Sequence, residues 1–285
     1  MAVPGISVVI VTHNSERHLT SCISHLSLAL SDTDYEVIVV DNASDRPPTE
    51  ADLLPLTRVM LVHNRTNTGF AAAANTGAAR ATKDVLLFLN PDVLLDSDAI
   101  HNLCDALAKC PTSGAIGARL RYPDGSFQPT CRRLPTAANI LFSRGSVLGR
   151  LTRRTSVYTL GDADTITEVP AVAGTVLMIH RSVFEQTHGF DERFFMYMED
   201  TDLCARLIQS GRVNLFVPEA GGVHYWGGGS TTGTLVRNWY HHRSVLYYFL
   251  KHHPNGFTIV LLPLLLSINL LAKTVFELFH RRRQR

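Results

Sequence analysis

The chain has 285 residues, 45% hydrophobic and 18% charged, the opposite of a disordered chain's balance and enough for a sizeable core. At roughly 150 residues per domain that is one large α/β domain or two smaller units. Lys plus Arg total 27 against 25 Asp plus Glu, and a net charge of +2 argues against a globally basic nucleic-acid binder.

Residues 1–5 carry no basic region, and the apolar run Ile6–Val11 is too short for a signal-peptide core, so no leader is expected. Ser7–Thr12 is a short β-branched run of the kind that forms a buried parallel strand. His13-Asn14-Ser15 follows, with Asn14 or Ser15 as N-cap, and Leu19, Cys22, Ile23 and Leu26 then fall at helical spacing. Glu36–Val40 reads as the second strand, ending at Asp41, and Arg58–Val62 as the third. The Ala-rich stretch Phe70–Thr82 reads as a helix, and Val85–Leu89 as the fourth strand, ending at Asn90-Pro91-Asp92. A helix carrying Ile100, Leu103, Cys104 and Leu107 follows. This β-α-β-α-β order predicts an open parallel sheet wound right-handed, with ligands beyond the carboxyl ends of the strands. Asp41 and Asp92 lie at two such ends and should converge on one cleft.

From Arg119 to Arg154 the pattern changes to a basic, loop-rich stretch, with Arg at 119, 121, 132, 133, 144, 150, 153 and 154 against the single acid Asp124. A strand is predicted at Val172–His180, a short helix near Arg181–Thr187, a helix from about Glu199, and a strand at Asn214–Val217. The five Cys (22, 104, 110, 131, 204) show no C-x-x-C spacing, so neither a zinc site nor a disulfide framework is expected. Cys22, Cys104 and Cys204 lie on apolar helix stripes as core residues, and a reduced, cytoplasmic setting fits.

A mean hydropathy of +0.06 is oily for a soluble enzyme, and much of that oil is at the end. Phe257–Ala272 is uncharged, and the apolar run extended to Phe279 is long enough to span a ~30 Å hydrocarbon core. Asn269, Lys273 and Glu277 recur every four residues as a polar stripe, Pro263 predicts a kink, and Arg281-Arg282-Arg283 follow. The pattern suits an amphipathic helix lying in a membrane interface, with a true span and a partner-packing helix as alternatives.

Four constellations carry chemistry. Asp41-Asn42-Ala43-Ser44 places a carboxylate at a strand end, where it can accept from a nucleobase N–H, although such an Asp is often only a turn residue. Asn67-Thr68-Gly69-Phe70, then four Ala and Asn75, opens a helix with small residues that a ligand or a packed strand can approach. Asn90-Pro91-Asp92 delivers one carboxylate that can hold Mg²⁺ or Mn²⁺ against a diphosphate, with His224 as a further ligand. Glu199-Asp200-x-Asp202 crowds three acids at a helix start. The helix dipole favours them, yet their mutual repulsion should raise at least one pKa, as suits a general base.

The series T-x-N, D-N-A-S, N-T-G-F-A-A-A-A-N, L-N-P-D, A-G-T, G-F-D-E-R-F-F-M-Y-M-E-D-T-D-L-C-A-R and V-P-E-A-x-x-x-H resembles the family 2 glycosyltransferases, and within them the rhamnosyltransferase-like branch. The resemblance covers roughly Ile6 to His253, and Gly189–Arg206 is its most specific part. It implies a GT-A fold, an α/β, Rossmann-like, mostly parallel central sheet flanked by helices, with the C-terminal amphipathic or hydrophobic helix appended. It divides the chain into a catalytic domain, 1–253, and a membrane-associating tail, 254–285. The domain's nucleotide-binding half is 1–120 and its acceptor half 121–253.

The resemblance also implies inverting transfer from a nucleoside-diphosphate-sugar. Asp41 would contact the base, with Thr12, Asn14, Asn42, Gly69, Asn75 and Asn90 around the nucleotide. Asp92 would bind Mg²⁺ or Mn²⁺, with His224 as metal or diphosphate ligand. Asp200, paired with Glu199, would deprotonate the acceptor hydroxyl, and Gly174, Asp202 and Trp226 would face the acceptor. Two departures stand out: the family's D-x-D is Asn90-Pro91-Asp92, and Thr175 follows Gly174 where Ala is usual. The processive Q-x-x-R-W is absent, since Trp226 and Trp239 follow Tyr225 and Asn238, which favours single addition. The expected donor is a thymidine- or uridine-diphospho-sugar, with L-rhamnose the first choice. The expected acceptor is a glycan on polyprenyl diphosphate at the cytoplasmic face of the membrane, its diphosphate met by the Arg-rich stretch. A sugar nucleotidyltransferase would want a Gly-rich loop after the first strand, where His13-Asn14-Ser15-Glu16-Arg17 stands. A silent sugar-nucleotide-binding protein would not need Asp41, Asp92 and Asp200 together.

Overall fold

The computed structural model describes residues 4–142, 159–225 and 233–283. Trp226 and Arg144, Arg150, Arg153 and Arg154 lie outside the described residues. In chain order the elements open with β1 (Ile6–Thr12), α1 (Glu16–Ala29), β2 (Tyr35–Asp41), a 3₁₀ turn (Glu50–Leu53), β3 (Val59–His63), α2 (Phe70–Ala78), β4 (Val85–Leu89), β5 (Val93–Leu95) and α3 (Ala99–Lys109). There follow β6 (Ser113–Arg121), β7 (Phe127–Gln128), β8 (Cys131–Arg132), α4 (Ala137–Leu141), β9 (Thr167–Glu168), β10 (Ala171–Val172), β11 (Val176–His180), α5 (Arg181–Gln186), α6 (Glu199–Gln209) and β12 (Val213–His224). The last are α7 (Thr234–His252), a π-helical turn (Phe257–Leu261) and α8 (Leu262–Arg283).

The main sheet has the order β3-β2-β1-β4-β11-β6-β12-β5. Strands β1 to β4 pair in parallel and β12 runs parallel to β6, whereas β11 is antiparallel to β4 and β6 and β5 is antiparallel to β12. The sheet is therefore mixed and mostly parallel, as its apolar strands require when both faces are covered. On one face Leu19, Cys22, Ile23 and Leu26 of α1 and Ile100, Leu103 and Leu107 of α3 join Val8, Ile10, Val39 and Leu87 in one core. On the other, α2 lies so close that a Cβ on Gly77 would meet Val9 at 2.5 Å. Its small residues thus serve sheet contact. All five Cys are free, and Cys22, Cys104, Cys131 and Cys204 are buried.

Two sequence expectations are corrected. The strand expected over Val172–His180 breaks at Ala173-Gly174-Thr175. Val172, with Ala171 before it, pairs with β8, and Val176–His180 pair with β4. Arg119 and Arg121 lie on β6, not in a loop. There they pair with Asp162 at 2.8 Å and Asp96 at 2.7 Å.

The chain divides into two compact units: Met1–Arg133, Thr159–Phe195 and Glu199–Thr231 in one, and Leu134–Tyr158, Met196–Met198 and Thr232–Arg285 in the other. The first holds the main sheet. In the second, α7 and α8 run back along each other through the turn at Pro254-Asn255-Gly256, where Asn255 and Thr258 cap each other's backbone. Pro263 lies two residues after the π-helical turn Phe257–Leu261, which runs without a break into α8, so its missing N–H falls inside a continuous helix where the hydrogen-bond ladder is widened.

Candidate active site

The register of the sheet assembles the site. Asp41 ends β2, two places across the sheet from the end of β4, and Asn90-Pro91-Asp92 leaves β4 on that same edge. Because β11 runs antiparallel to β4 with Val176 opposite Leu89, the Ala173–Thr175 break comes alongside. Asn90 N–H donates to Thr175 O at 2.9 Å. Strand β5 pairs with the end of β12, setting His224 opposite Val93, next to Asp92. Four separate segments thus meet at the carboxyl ends of the parallel strands, where open α/β sheets bind ligands.

Asp41 is buried. Its carboxylate accepts from Ser44 N–H at 3.3 and 3.4 Å and lies 3.5 Å from His63 Nδ1. Beside it, Asn42 organises the edge. Its Nδ2 donates to Asn67 Oδ1 and Gly69 O, and its Oδ1 accepts from Asn64, Thr68 N and Thr68 Oγ1. Gly69 has φ +83°, and a Cβ there would collide with the Phe195 carbonyl, which accepts from Phe70 N–H at 2.8 Å. Thr12 is buried at the end of β1. Asn14 ties the loop after β1 to the loop after β2, accepting from Asp45 N–H at 2.7 Å while its own N–H donates to Ser44.

Two expected ligand residues have other work. Asn75 spends its amide on the loop before α6, donating to Phe190 O at 2.8 Å and accepting from Phe190 N–H at 3.0 Å. Asp202 is fully buried and paired with Arg206 at 2.8 Å, and that guanidinium also holds the Thr187 and Gly189 carbonyls. Its carboxylate is enclosed within the protein.

Asp92 and His224 are each about 6% exposed, with His224 Nε2 3.2 Å from Asp92 Oδ1. His224 Nδ1 lies 2.9 Å from Gln128 Oε1. With the proton on Nδ1 donated to Gln128, the Nε2 lone pair faces the carboxylate. A carboxylate oxygen and an oriented imidazole nitrogen suit Mg²⁺ or Mn²⁺ as a partial set, with diphosphate oxygens and water completing it. Among the described residues no group of three or more His, Cys, Asp or Glu forms a fuller cation site.

Asp200 stands in the first turn of α6. Its Oδ2 accepts from Gly174 N–H at 2.9 Å and Arg132 Nη2 at 2.6 Å, and its Oδ1 from Thr201 N–H at 2.6 Å and Thr201 Oγ1 at 3.0 Å. A Cβ on Gly174 would sit 3.4 Å from Asp200 Cβ, an ordinary contact, so the close approach of the two segments does not itself demand glycine. Glu199 is buried, and its Oε2 has no hydrogen-bond partner among the described residues. Burial, then the Asp200 charge, pushes Glu199 up to about 8, the raised acid expected of crowded carboxylates. The two residues before it, Tyr197 and Met198, both have positive φ (69° and 72°), a costly backbone that concentrates at functional sites.

Gln128 and Arg132 carry no motif of their own. Each sits on a two-residue strand whose pairing, Gln128 opposite Leu120 and Arg132 opposite Ala171, brings it to the site.

An edge that gathers a buried Asp at a strand end, an Asp–His pair and a buried acidic pair is that of a nucleotide-sugar-dependent hexosyltransferase. A mannosyltransferase from Pyrobaculum calidifontis, solved in complex with GDP-Man and Mn²⁺, matches the fold with a TM-score of 0.60 over 94% of this chain and 73% of that one, at 19% identity. The fold is of the GT-A type. The chain belongs to glycosyl transferase family 2, whose sequence model matches residues 7–187. A second model, the N-terminal domain of galactosyltransferase, matches residues 157–227. An N-acetylglucosaminyl-diphospho-decaprenol L-rhamnosyltransferase of Mycobacterium tuberculosis is 32% identical over 264 residues, 87% of this chain and 85% of that one. Rhamnosyltransferase WbbL of Escherichia coli is 25% identical over 76% of this chain and 82% of its own. Within its family the chain is rhamnosyltransferase-like.

Proposed function

We propose that this chain adds a single sugar, L-rhamnose, from a nucleoside-diphosphate-sugar to a hydroxyl of a glycan carried on polyprenyl diphosphate, with inversion at the anomeric carbon. The observation that carries the chemistry is the convergence of Asp41, the Asp92–His224 pair and Asp200 on one sheet edge. The sugar and the lipid-linked acceptor rest on the mycobacterial relative, whose name states both.

Asp41 accepts from a thymine or uracil N–H, and the Asn42 network shapes the turn around the nucleotide. Asp92 and His224 would hold a divalent cation, which when bound neutralises charge on the departing diphosphate. Asp200 removes the proton from the acceptor hydroxyl as its oxygen attacks the anomeric carbon, opposite the leaving nucleoside diphosphate. One displacement inverts the centre, so one carboxylate base suffices where most glycoside hydrolases use two carboxyl groups. The enzyme works at the cytoplasmic face of a membrane, held there by the outward apolar side of α8.

The test is a panel of thymidine- and uridine-diphospho-sugars with Mg²⁺ or Mn²⁺ and a polyprenyl-diphosphate-linked N-acetylglucosamine, following released nucleoside diphosphate and glycosylated product. Rhamnose transfer is expected. Asp200→Asn should lower turnover by about 10²-fold or more with donor binding kept. Near-full turnover by Asp200→Asn removes Asp200 as the base.

A further inference from the structure

The carboxylate placed to act as base has no acceptor capacity to spare. Each carboxylate oxygen offers about two lone-pair sites. Gly174 N–H and Arg132 fill those of Oδ2, and Thr201 N–H and Oγ1 fill those of Oδ1. Gly174 N–H and Thr201 N–H are main-chain donors fixed by the fold, and the Thr201 hydroxyl beside them bonds Oδ1, not Oδ2. Arg132 comes from 68 residues away, on the two-residue strand β8, and its side chain is 21% exposed against 9% for Asp200. Of the two donors on Oδ2, it is the one carried on a side chain that can swing away.

We propose that Arg132 is a positioning residue that latches Asp200 until the acceptor's diphosphate draws the guanidinium away, freeing Oδ2 for the acceptor hydroxyl. This rests on Asp200 being the base. Guanidinium binds carboxylate and phosphate oxygens with the same planar fork, so a diphosphate competes directly for it. The exchange also changes the local charge. Arg132 is one of the groups holding Glu199 down, against burial and the Asp200 charge, which push it up to about 8. When Arg132 leaves, Glu199 loses one of the positive charges that lower it.

The latch guards against water. Without an acceptor, water can attack the anomeric carbon of bound donor. Its oxygen forms the new bond, the bond to the diphosphate breaks with its electron pair, and Asp200 takes the proton. With Oδ2 occupied, that loss is suppressed, and only the anionic acceptor opens the site.

The experiment measures released nucleoside diphosphate without acceptor, and transfer with polyprenyl-diphosphate-linked N-acetylglucosamine, for wild type, Arg132→Gln, Arg132→Lys, Asp200→Asn and the Asp200→Asn/Arg132→Gln double variant. Arg132→Gln should hydrolyse donor about tenfold faster than wild type, as expected when a state that is about 90% closed is opened. Its KM for the lipid-linked acceptor should rise more than its kcat falls, and Arg132→Lys should lie between it and wild type on both measures. The added hydrolysis should vanish in the double variant. Unchanged or slower hydrolysis in Arg132→Gln overturns the latch, as does added hydrolysis that survives loss of Asp200. If Arg132→Gln does not fold, Arg132→Lys decides alone, and hydrolysis no faster than wild type overturns the latch. Wild-type hydrolysis as fast as that of Arg132→Gln would make the donor's own diphosphate the trigger and also overturns it. Failure of the base assignment is read separately, as transfer retained by Asp200→Asn alone.

Discussion

Glu199 is an acid that the fold keeps protonated near neutrality. Burial, then the charge of Asp200, raises it to about 8 from an ordinary 4.5. Between those values the folded state binds more protons than the unfolded chain, so Glu199 makes stability fall as pH rises from about 4.5 to 8. Glu199→Gln keeps the shape without the charge. Its stability relative to wild type should therefore grow across that window, by on the order of 1 kcal/mol or more at pH 8, in urea unfolding at pH 5, 7 and 8. A constant difference across those three pH values would contradict the raised acid. Gln128 makes a second residue-scale case. By holding His224 Nδ1 it fixes the tautomer that turns Nε2 toward Asp92. Gln128→Leu should weaken Mn²⁺ binding by about 10-fold or more in titration calorimetry, with little change in donor binding measured without metal. Asp41, Asp92 and Asp200 were legible in the sequence because each follows a strand or opens a helix. Gln128 and Arg132 were not, because two-residue strands leave no periodicity and their partners lie far along the chain.

At the scale of elements, the apolar strands and the helices α1 and α3 announced themselves by period, since each buries a continuous stripe. The α2 helix ended at Ala78, earlier than its Ala-rich composition suggested, because the chain must turn there to enter β4. The C-terminal helix shows a subtler limit. Its polar stripe was visible in sequence, but periodicity cannot say which side faces the protein. In the structure Asn269 lies against α7, its Nδ2 2.9 Å from His242 Nε2, while Leu264, Ile268 and Leu271 are more than half exposed. Burial pushes the His242 pKa down, favouring a neutral ring that donates from Nδ1 to Asn238 O and accepts from Asn269 at Nε2. This is inverted from an ordinary soluble helix, whose polar stripe meets water. Asn269→Ala should therefore destabilise the protein by about 1 kcal/mol in thermal or urea unfolding, by stripping a buried ring nitrogen of its donor. Leu271→Ser, on the outer side, should leave stability within about 0.5 kcal/mol. Equal losses from both would return the polar stripe to the solvent side.

For the whole molecule, the near-neutral charge and slightly oily average conceal a segregated surface. The segment Phe257–Val275 is long and apolar enough to cross a membrane by length and composition, and only 17% of its most apolar window is buried. Leu264, Ile268, Leu271 and Val275 follow one another at spacings of three and four, so they share a side of α8. The chain then closes on Arg281-Arg282-Arg283 and Arg285, positive charges of the kind that anionic lipid headgroups attract. Deleting residues 257–285 is a poor test of membrane binding, because it would also uncover the inward residues of α7 that now form a unit with α8. Replacing the four outer side chains with Ser leaves that packing in place. Each contributes about 1 kcal/mol on entering lipid from its half-exposed state, about 4 kcal/mol in all. Partition onto vesicles of phosphatidylglycerol and phosphatidylcholine should then fall by about 10³-fold in flotation or sedimentation assays. Residual binding should be the headgroup contribution, abolished at about 1 M salt where charges are screened beyond about 3 Å. Wild-type binding should keep a large salt-resistant part, because apolar burial is not screened. Binding of the four-Ser variant equal to wild type, or wild-type binding lost entirely at high salt, would refute α8 as the membrane-seeking surface. Hydrolysis of soluble donor should be unchanged in that variant, since none of the four residues lies on the segments that carry Asp41, Asp92, Asp200 or His224.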